Sequence, residues 1–443
     1  MTSRSYSPSR TNPIRVAILL LVSVAMVLLT VDGAGASPAC NPRKPATCTL
    51  RELADLNSLR IGSTAEPSEV TNPAFASILG REFNSLTPEN ALKWYATQST
   101  AGTWDFTGAD AIVNYASDND MSVRGHTLVW AQDTYTPAWV RAISNPVDLR
   151  AKVNEHITTT MNHFAGRIHR WDVVNEPLAT FGTGPSSSVF WTMGPEWIAD
   201  AFRLARSLDA DAELWLNEYG SDWVPGKHEA LLELVAGLVA DGVPIDGVGL
   251  QTHRLPGDQL DTVRFGEQLA DFTALGLEVA ITELDVPVSP DDPSAFQKQA
   301  TEYAKVVSTC LRVTGCVEVT VWGLTDGATW LDSLGTFPTP TRPLLFDTNF
   351  APKPAFEAVR RVLATAAPRL PVTGSRMTAV ATAGLLLIVG GAFSLIRAPR
   401  PGLIAGPSPV RPTRARYVGR AQGPRAGVRS NRPGRYPRPR KHR

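Results

Sequence analysis

The chain predicts a closed (β/α)8 barrel, and three observations carry that expectation. Between about residues 57 and 326, a short apolar, β-branched run followed by a longer helical stretch recurs eight times, the alternation of a parallel sheet covered by helices. Polar residues able to do chemistry gather at the C-terminal end of nearly every run, which is where such a barrel carries its active site. The two ends differ in composition from this body, so the repeat belongs to a single domain.

The eight runs are Leu59 to Thr64, Glu82 to Thr87, Ser122 to Trp130, Arg170 to Asn175, Glu213 to Asn217, Gly247 to Thr252, Glu278 to Thr282 and Val317 to Trp322. Between them, Ala151 to Phe164, Pro195 to Ser207, His228 to Ala240 and Ala295 to Leu311 place apolar residues at helical spacing.

The flanks read as targeting segments. Arg4, Arg10 and Arg15 precede the uncharged run Val16 to Val31, and Ala34-Gly35-Ala36 follows it, the order of a secretory signal peptide over residues 1–36. A lead-in over 37–56 then reaches the barrel at 57–365. Four cysteines fall as two close pairs, Cys40 with Cys48 and Cys310 with Cys316, and export predicts that both are disulfides. Loops this short give about 2 kcal/mol each by loop closure, so they pin local geometry.

A linker over 366–376 contains Leu370, Pro371, Thr373 and Gly374 in the pentapeptide LPVTG, an apolar span fills 377–396, and a tail runs from 397 to 443. This order resembles a sortase sorting signal, whose partners are sortase and a cell-wall precursor and whose apolar span engages the membrane. The tail holds 14 of the 43 basic residues and no acidic one, which leaves 29 basic against 42 acidic residues in the rest. It is Pro- and Gly-rich, longer than such signals carry, and expected to be disordered beside the membrane by the positive-inside rule.

Two glutamates define the chemistry. Glu176 ends the fourth run between Asn175 and Pro177, and Glu283 ends the seventh after Val279-Ala280-Ile281. Two carboxylates on separate strands of a rigid frame divide the work of breaking a glycosidic bond, one protonating the leaving oxygen and the other attacking the sugar. Pro177 stiffens the turn beside Glu176, which is assigned general acid/base. Glu283 is assigned nucleophile, with Asp285 two residues on the same strand face. Asp285 orienting His253, and His253 bonding Glu283, would keep the nucleophile ionised. Carboxyl groups about 5–5.5 Å apart are expected if the reaction retains configuration.

Sugar binding needs flat apolar faces and convergent polar groups, which Trp130, Trp322 and Trp330 on one side and Glu89, Asn90 and Lys93 on the other can supply, while His126 closes the third run and Gln251 the sixth. Asn175 is placed to contact the 2-hydroxyl beside Glu176. Trp171 lies inside a strand run and is expected in the core. No metal, nucleotide or prosthetic-group motif is visible, so no cofactor and no nucleic-acid partner is expected.

In chain order FNSLTPENALKW, RGHTLVW, WDVVNEP, ITELD, VTVWGLTD and PLLFDTNFAPKPAF resemble the motifs of glycoside hydrolase family 10, over about residues 50 to 365. The resemblance implies a retaining endo-β-1,4-xylanase, a xylan-like polysaccharide substrate, the same site positions by motif, and His126 and Gln251 as further sugar-binding positions. It also implies the Cys310 and Cys316 pair. Two departures bear on the sugar rather than the chemistry. Ala131-Gln132 replaces the His-x-Gln usual after RGHTLVW, and Asn217-Glu218-Tyr219-Gly220 lengthens one acid and loses one amide of the usual Asn-Asp-Tyr-Asn. Alternatives are the same chemistry on another polysaccharide or glycoside, or a noncatalytic wall-bound carbohydrate-binding protein.

Overall fold

The computed structural model describes residues 40–288, 292–337 and 339–366, all within one compact unit. The expected signal peptide, sorting motif, apolar span and basic tail lie outside the described residues. Among the described residues no helix is long and apolar enough to cross a membrane.

Among the described residues nine parallel strands make one sheet: β1 (Arg60–Ala65), β2 (Ser85–Pro88), β3 (Ser122–Gly125), β4 (Val129–Trp130), β5 (Arg170–Asn175), β6 (Glu213–Glu218), β7 (Gly247–Leu250), β8 (Glu278–Leu284) and β9 (Cys316–Val321). Every consecutive pair except β3 and β4 is hydrogen-bonded, β9 returns to β1 through Ile61 opposite Val319, and β3 also pairs with β5. The sheet therefore closes into the expected eight-stranded barrel, with β3 and β4 as two pieces of one strand position.

That division corrects the third expected run. The chain leaves the ladder at His126, where the His126–Thr127 peptide is cis, and rejoins β5 at Val129 opposite Val174. The second run also starts later than expected, because Glu82 ends the helix Pro73–Glu82 and its carboxylate accepts the Leu50 N–H at 3.0 Å. The four expected helices are present as Pro146–His163, Trp197–Leu208, Lys227–Ala240 and Ala295–Arg312. Asparagine caps start two of the outer helices, with Asn145 accepting from Val147 N and Asn72 from Ala74 N.

The lead-in is built into the outer layer. A capping box between Thr49 and Glu52 starts the helix Leu50–Asp55, and Asn57 donates to Leu363 O of the last helix, Pro354–Ala366. Both disulfides form, Cys40 with Cys48 and Cys310 with Cys316.

Because helices cover the outside, the strands bury both faces along nearly their whole length. Trp171, Trp197, Phe202, Phe265, Phe272 and Tyr303 fill the layer between sheet and helices, each burial contributing about 1.5–3 kcal/mol. Trp171 is core, as expected. The barrel interior instead holds ions: Arg124 grips Asp172 at 2.6 and 3.0 Å and reaches Glu318 at 3.4 Å, while Arg170 pairs with Glu318 and Glu213. Such pairs tolerate burial only because every charge meets an opposite one.

Candidate active site

Glu176 sits where β5 ends, and its backbone is left-handed, φ +53°. A non-glycine residue held there stores about 1–3 kcal/mol of strain, which the surroundings must impose. They do so first through the Glu176 N–H, which donates to Asn217 O at 2.9 Å. The side chain is half-buried, and its Oε1 accepts from Gln251 Nε2 at 2.9 Å and, more weakly, from Asn175 Nδ2 at 3.5 Å.

Glu283, near the end of β8, is buried and surrounded by donors. Asn217 Nδ2 donates to its Oε1 at 2.7 Å, and His253 Nε2 lies 3.2 Å from its Oε2. His253 Nδ1 lies 2.9 Å from Asp285 Oδ2, which also accepts from Trp330 Nε1 at 2.8 Å. The expected relay from Asp285 through His253 to Glu283 is therefore present as contacts. Burial alone would raise the Glu283 pKa, but the His253 hydrogen bond and the charges of His126, His253 and Lys93 hold it below the usual carboxylate value. Burial works against a charged His253 too, yet Asp285 and Glu283 push its pKa up to about 10. The imidazole thus stands as a cation between two carboxylates.

Asn217 was not among the site residues expected from sequence, although its place at a strand end was visible. Register puts it opposite Asn175, and its Nδ2 donates to Asn175 Oδ1 at 2.9 Å as well as to Glu283. Its Oδ1 accepts from Thr282 at 2.6 Å. Gly249 on β7 makes room for this: a Cβ there would lie 2.3 Å from Asn217 Oδ1. Gln251 closes the network by donating to Asn175 Oδ1 at 3.3 Å and to Glu176.

A second cluster lies beyond β1 and β2. Lys93 is buried, donates to Asn90 Oδ1 at 3.0 Å and stands 4.6 Å above the Trp130 ring. Burial lowers its pKa against the opposing pull of Glu283, Glu89 and Glu176. Glu89 accepts from Thr64 at 3.1 Å, and burial with the nearby Glu66 charge pushes its pKa up to about 7. Asn90 donates in turn to Glu66, and Tyr95 donates to Asn90 at 2.8 Å.

His126, Trp322 and Trp330 stand close together at the same end of the barrel. His126 meets Trp322 edge-on at 5.3 Å and holds Asp172 at 2.9 Å through Nδ1, while Trp330 lies 4.9 Å from His253. Asp172, missed as a site residue, had its signal in being a charge inside an apolar strand run. One face of the Trp130 ring is taken by Tyr135, which stacks on it at 3.8 Å and 5°. Tyr135 comes from the same segment as the Ala131 departure and is itself exposed.

Glu218, the lengthened acid of the second departure, does not line the cleft. It is fully buried and lies 3.1 Å from Lys227 Nζ, itself fully buried. Its Oε2 accepts from Leu178 N at 3.1 Å and its Oε1 from Tyr219 N at 2.8 Å.

A family model described as Glycosyl hydrolase family 10 matches residues 49–362. The chain is 38% identical over 306 residues to Endo-1,4-beta-xylanase 3 of Hypocrea jecorina, a span of 69% of this chain and 82% of that protein. Native xylanase 10B from Thermotoga maritima is 36% identical with a TM-score of 0.67, covering 72% of this chain and 98% of that one. Xylanase 10B from Thermotoga petrophila RKU-1, solved in complex with xylobiose, has a TM-score of 0.68 at 34% identity and the same coverage. With a closed barrel, carboxylates gathered at its strand ends and a family match across its whole body, this chain belongs to glycosyl hydrolase family 10 and is a glycoside hydrolase.

Proposed function

We propose that the protein is a retaining endo-β-1,4-xylanase in which Glu176 is the acid/base and Glu283 the nucleophile. The observation that supports this division is the unequal setting of the two carboxyl groups. Glu283 is buried among an amide donor and a cationic imidazole, which favour the anion that must attack, whereas Glu176 is half-open and bonded to neutral amides. In the first step Glu176 gives its proton to the glycosidic oxygen as a Glu283 oxygen bonds to the anomeric carbon and the C–O bond breaks. In the second, Glu176 takes a proton from water as that water attacks the same carbon and releases Glu283. The reading needs the carboxyl groups about 5–5.5 Å apart.

Asn175 serves the 2-hydroxyl, His253 and Asp285 keep Glu283 ionised, and Glu89, Asn90, Lys93, His126, Trp130, Gln251, Trp322 and Trp330 hold the sugars. Xylan as substrate is supported by the relatives, which are named as xylanases. We place the enzyme outside the cell, exported by residues 1–36 and anchored through LPVTG, with sortase and a cell-wall precursor as partners.

The test is hydrolysis of xylan, mannan, cellulose and β-glucan by the exported protein and by Glu176→Gln and Glu283→Gln. Release of xylooligosaccharides that vanishes in both variants is expected; full activity in either variant would refute its assignment. Anchoring predicts a wall fragment whose peptide ends at Thr373, and an intact tail in the membrane fraction would refute it.

A further inference from the structure

We propose that the buried Glu218–Lys227 pair is a positioning device for Glu176, fixing the loop after it in the pose from which its carboxyl reaches the leaving oxygen. The proposal rests on reading Glu176 as the acid/base. Three contacts hold alternate residues of that loop. Glu176 N donates to Asn217 O at 2.9 Å, Leu178 N to Glu218 Oε2 at 3.1 Å, and Lys227 Nζ to Thr180 O at 3.4 Å. The Asn217 and Glu218 acceptors are consecutive residues at the end of β6, and Lys227 opens the helix that follows. Lys227 lies 3.1 Å from Glu218 and 5.4 Å from the Tyr219 ring, so the device is closed on itself.

The strain at Glu176 makes such a device necessary. A left-handed backbone at a non-glycine residue persists only where neighbours over-determine it, and Pro177 fixes just one further dihedral. Stability does not account for the pair, because buried ion pairs are replaced by apolar residues with little loss in many proteins. What an apolar pair lacks is an acceptor for Leu178 N and a donor for Thr180 O. A loop pinned by a fully buried carboxylate and ammonium therefore has its geometry set by groups that never touch the sugar.

The test compares kcat/KM on xylan, a phenyl β-xylobioside and a dinitrophenyl β-xylobioside. A misplaced acid slows bonds whose leaving group needs a proton and spares those whose leaving group does not. Glu218→Gln, and Glu218→Gln with Lys227→Met in case the stranded ammonium alone prevents folding, should lose about tenfold or more on xylan and the phenyl substrate. On the dinitrophenyl substrate they should stay within about threefold, since that leaving group needs little acid help. Glu218→Asp, which keeps the carboxyl group, should recover the phenyl-substrate rate. Equal loss on all three substrates, or no recovery with Asp, overturns the proposal. Glu176→Gln is the control: its own leaving-group dependence with none in the Glu218 variants sinks the positioning role alone. If Glu176→Gln lacks that dependence, the acid assignment fails and the positioning role falls with it.

Discussion

Asn217 donates to Glu283 Oε1 at 2.7 Å with the same amide nitrogen that donates to Asn175 Oδ1 at 2.9 Å, so one side chain joins the two halves of the site. Removing that donor leaves Glu283 with less stabilisation of its anion, and its pKa rises. Asn217→Ala should lower kcat/KM on xylan by tens to roughly a hundredfold and move the acid limb of the pH profile to higher pH. Asn217→Asp, which sets a second carboxylate against Glu283, should move it further. An acid limb unmoved in both variants would show that Asn217 does not govern the ionisation of Glu283.

His253 stays charged through neutrality, because Asp285 and Glu283 outweigh its burial and push its pKa up to about 10. The expected NMR result is an imidazolium signal without a titration between about pH 5 and 8, where an ordinary histidine changes form. The linkage has a definite sign. A folded pKa above the unfolded value of about 6.5 gives stability that is complete below about 6.5 and is lost as pH rises toward 10. His253→Gln should remove that decline from a stability–pH curve and raise the acid limb of activity. A His253 midpoint near 6.5 would sink both expectations.

The barrel was legible because nearly every strand carried its apolar run and polar end together, as WDVVNEP does for β5 and ITELD for β8. The contacts from Asp285 to His253 to Glu283 were legible for the same reason, since alternation places residues two apart on one side. What could not be read was register. Only pairing β5 with β6 sets Asn175 opposite Asn217, and only pairing β6 with β7 sets Asn217 against Gly249. Glu218 was visible as a departure, but a glutamate facing the cleft and one buried against Lys227 look the same in a single sequence. Trp130 carried no sign that Tyr135 would cover it, because the length of a loop does not fix where its aromatic residue folds back.

A second histidine has the opposite linkage. His156 is fully buried and stacked on Trp94 at 4.1 Å and 8°, and burial drives its pKa down to about 3. Its folded pKa lies below the unfolded value, so the stability of the neutral form is lost as pH falls from about 6.5 toward 3. His156→Phe keeps a flat ring against Trp94 and removes the titration. The variant should therefore unfold at lower pH than the parent in an acid titration followed by circular dichroism. Equal or earlier acid unfolding would place the acid-sensitive group elsewhere.

Two glycine-to-alanine changes should have opposite effects. At Gly249 the added methyl would lie 2.3 Å from Asn217 Oδ1, 2.7 Å from Thr282 Cγ2 and 2.9 Å from Arg124 Nη2, where nothing can yield without breaking the bond between Asn217 and Thr282. Gly249→Ala should cost about 1–3 kcal/mol by overpacking and lower kcat with it, because Asn217 cannot be displaced without disturbing Glu283. Gly237 lies inside the helix Lys227–Ala240, and a Cβ there meets nothing within 4 Å. Gly237→Ala should stabilise by about 0.5–1 kcal/mol through reduced chain entropy and leave kcat unchanged. Thermal melts and initial rates on both variants separate the two effects. A harmless Gly249→Ala would mean that the barrel interior can move Asn217 without loss, and the coupling between packing at β7 and chemistry at β8 would have to be abandoned.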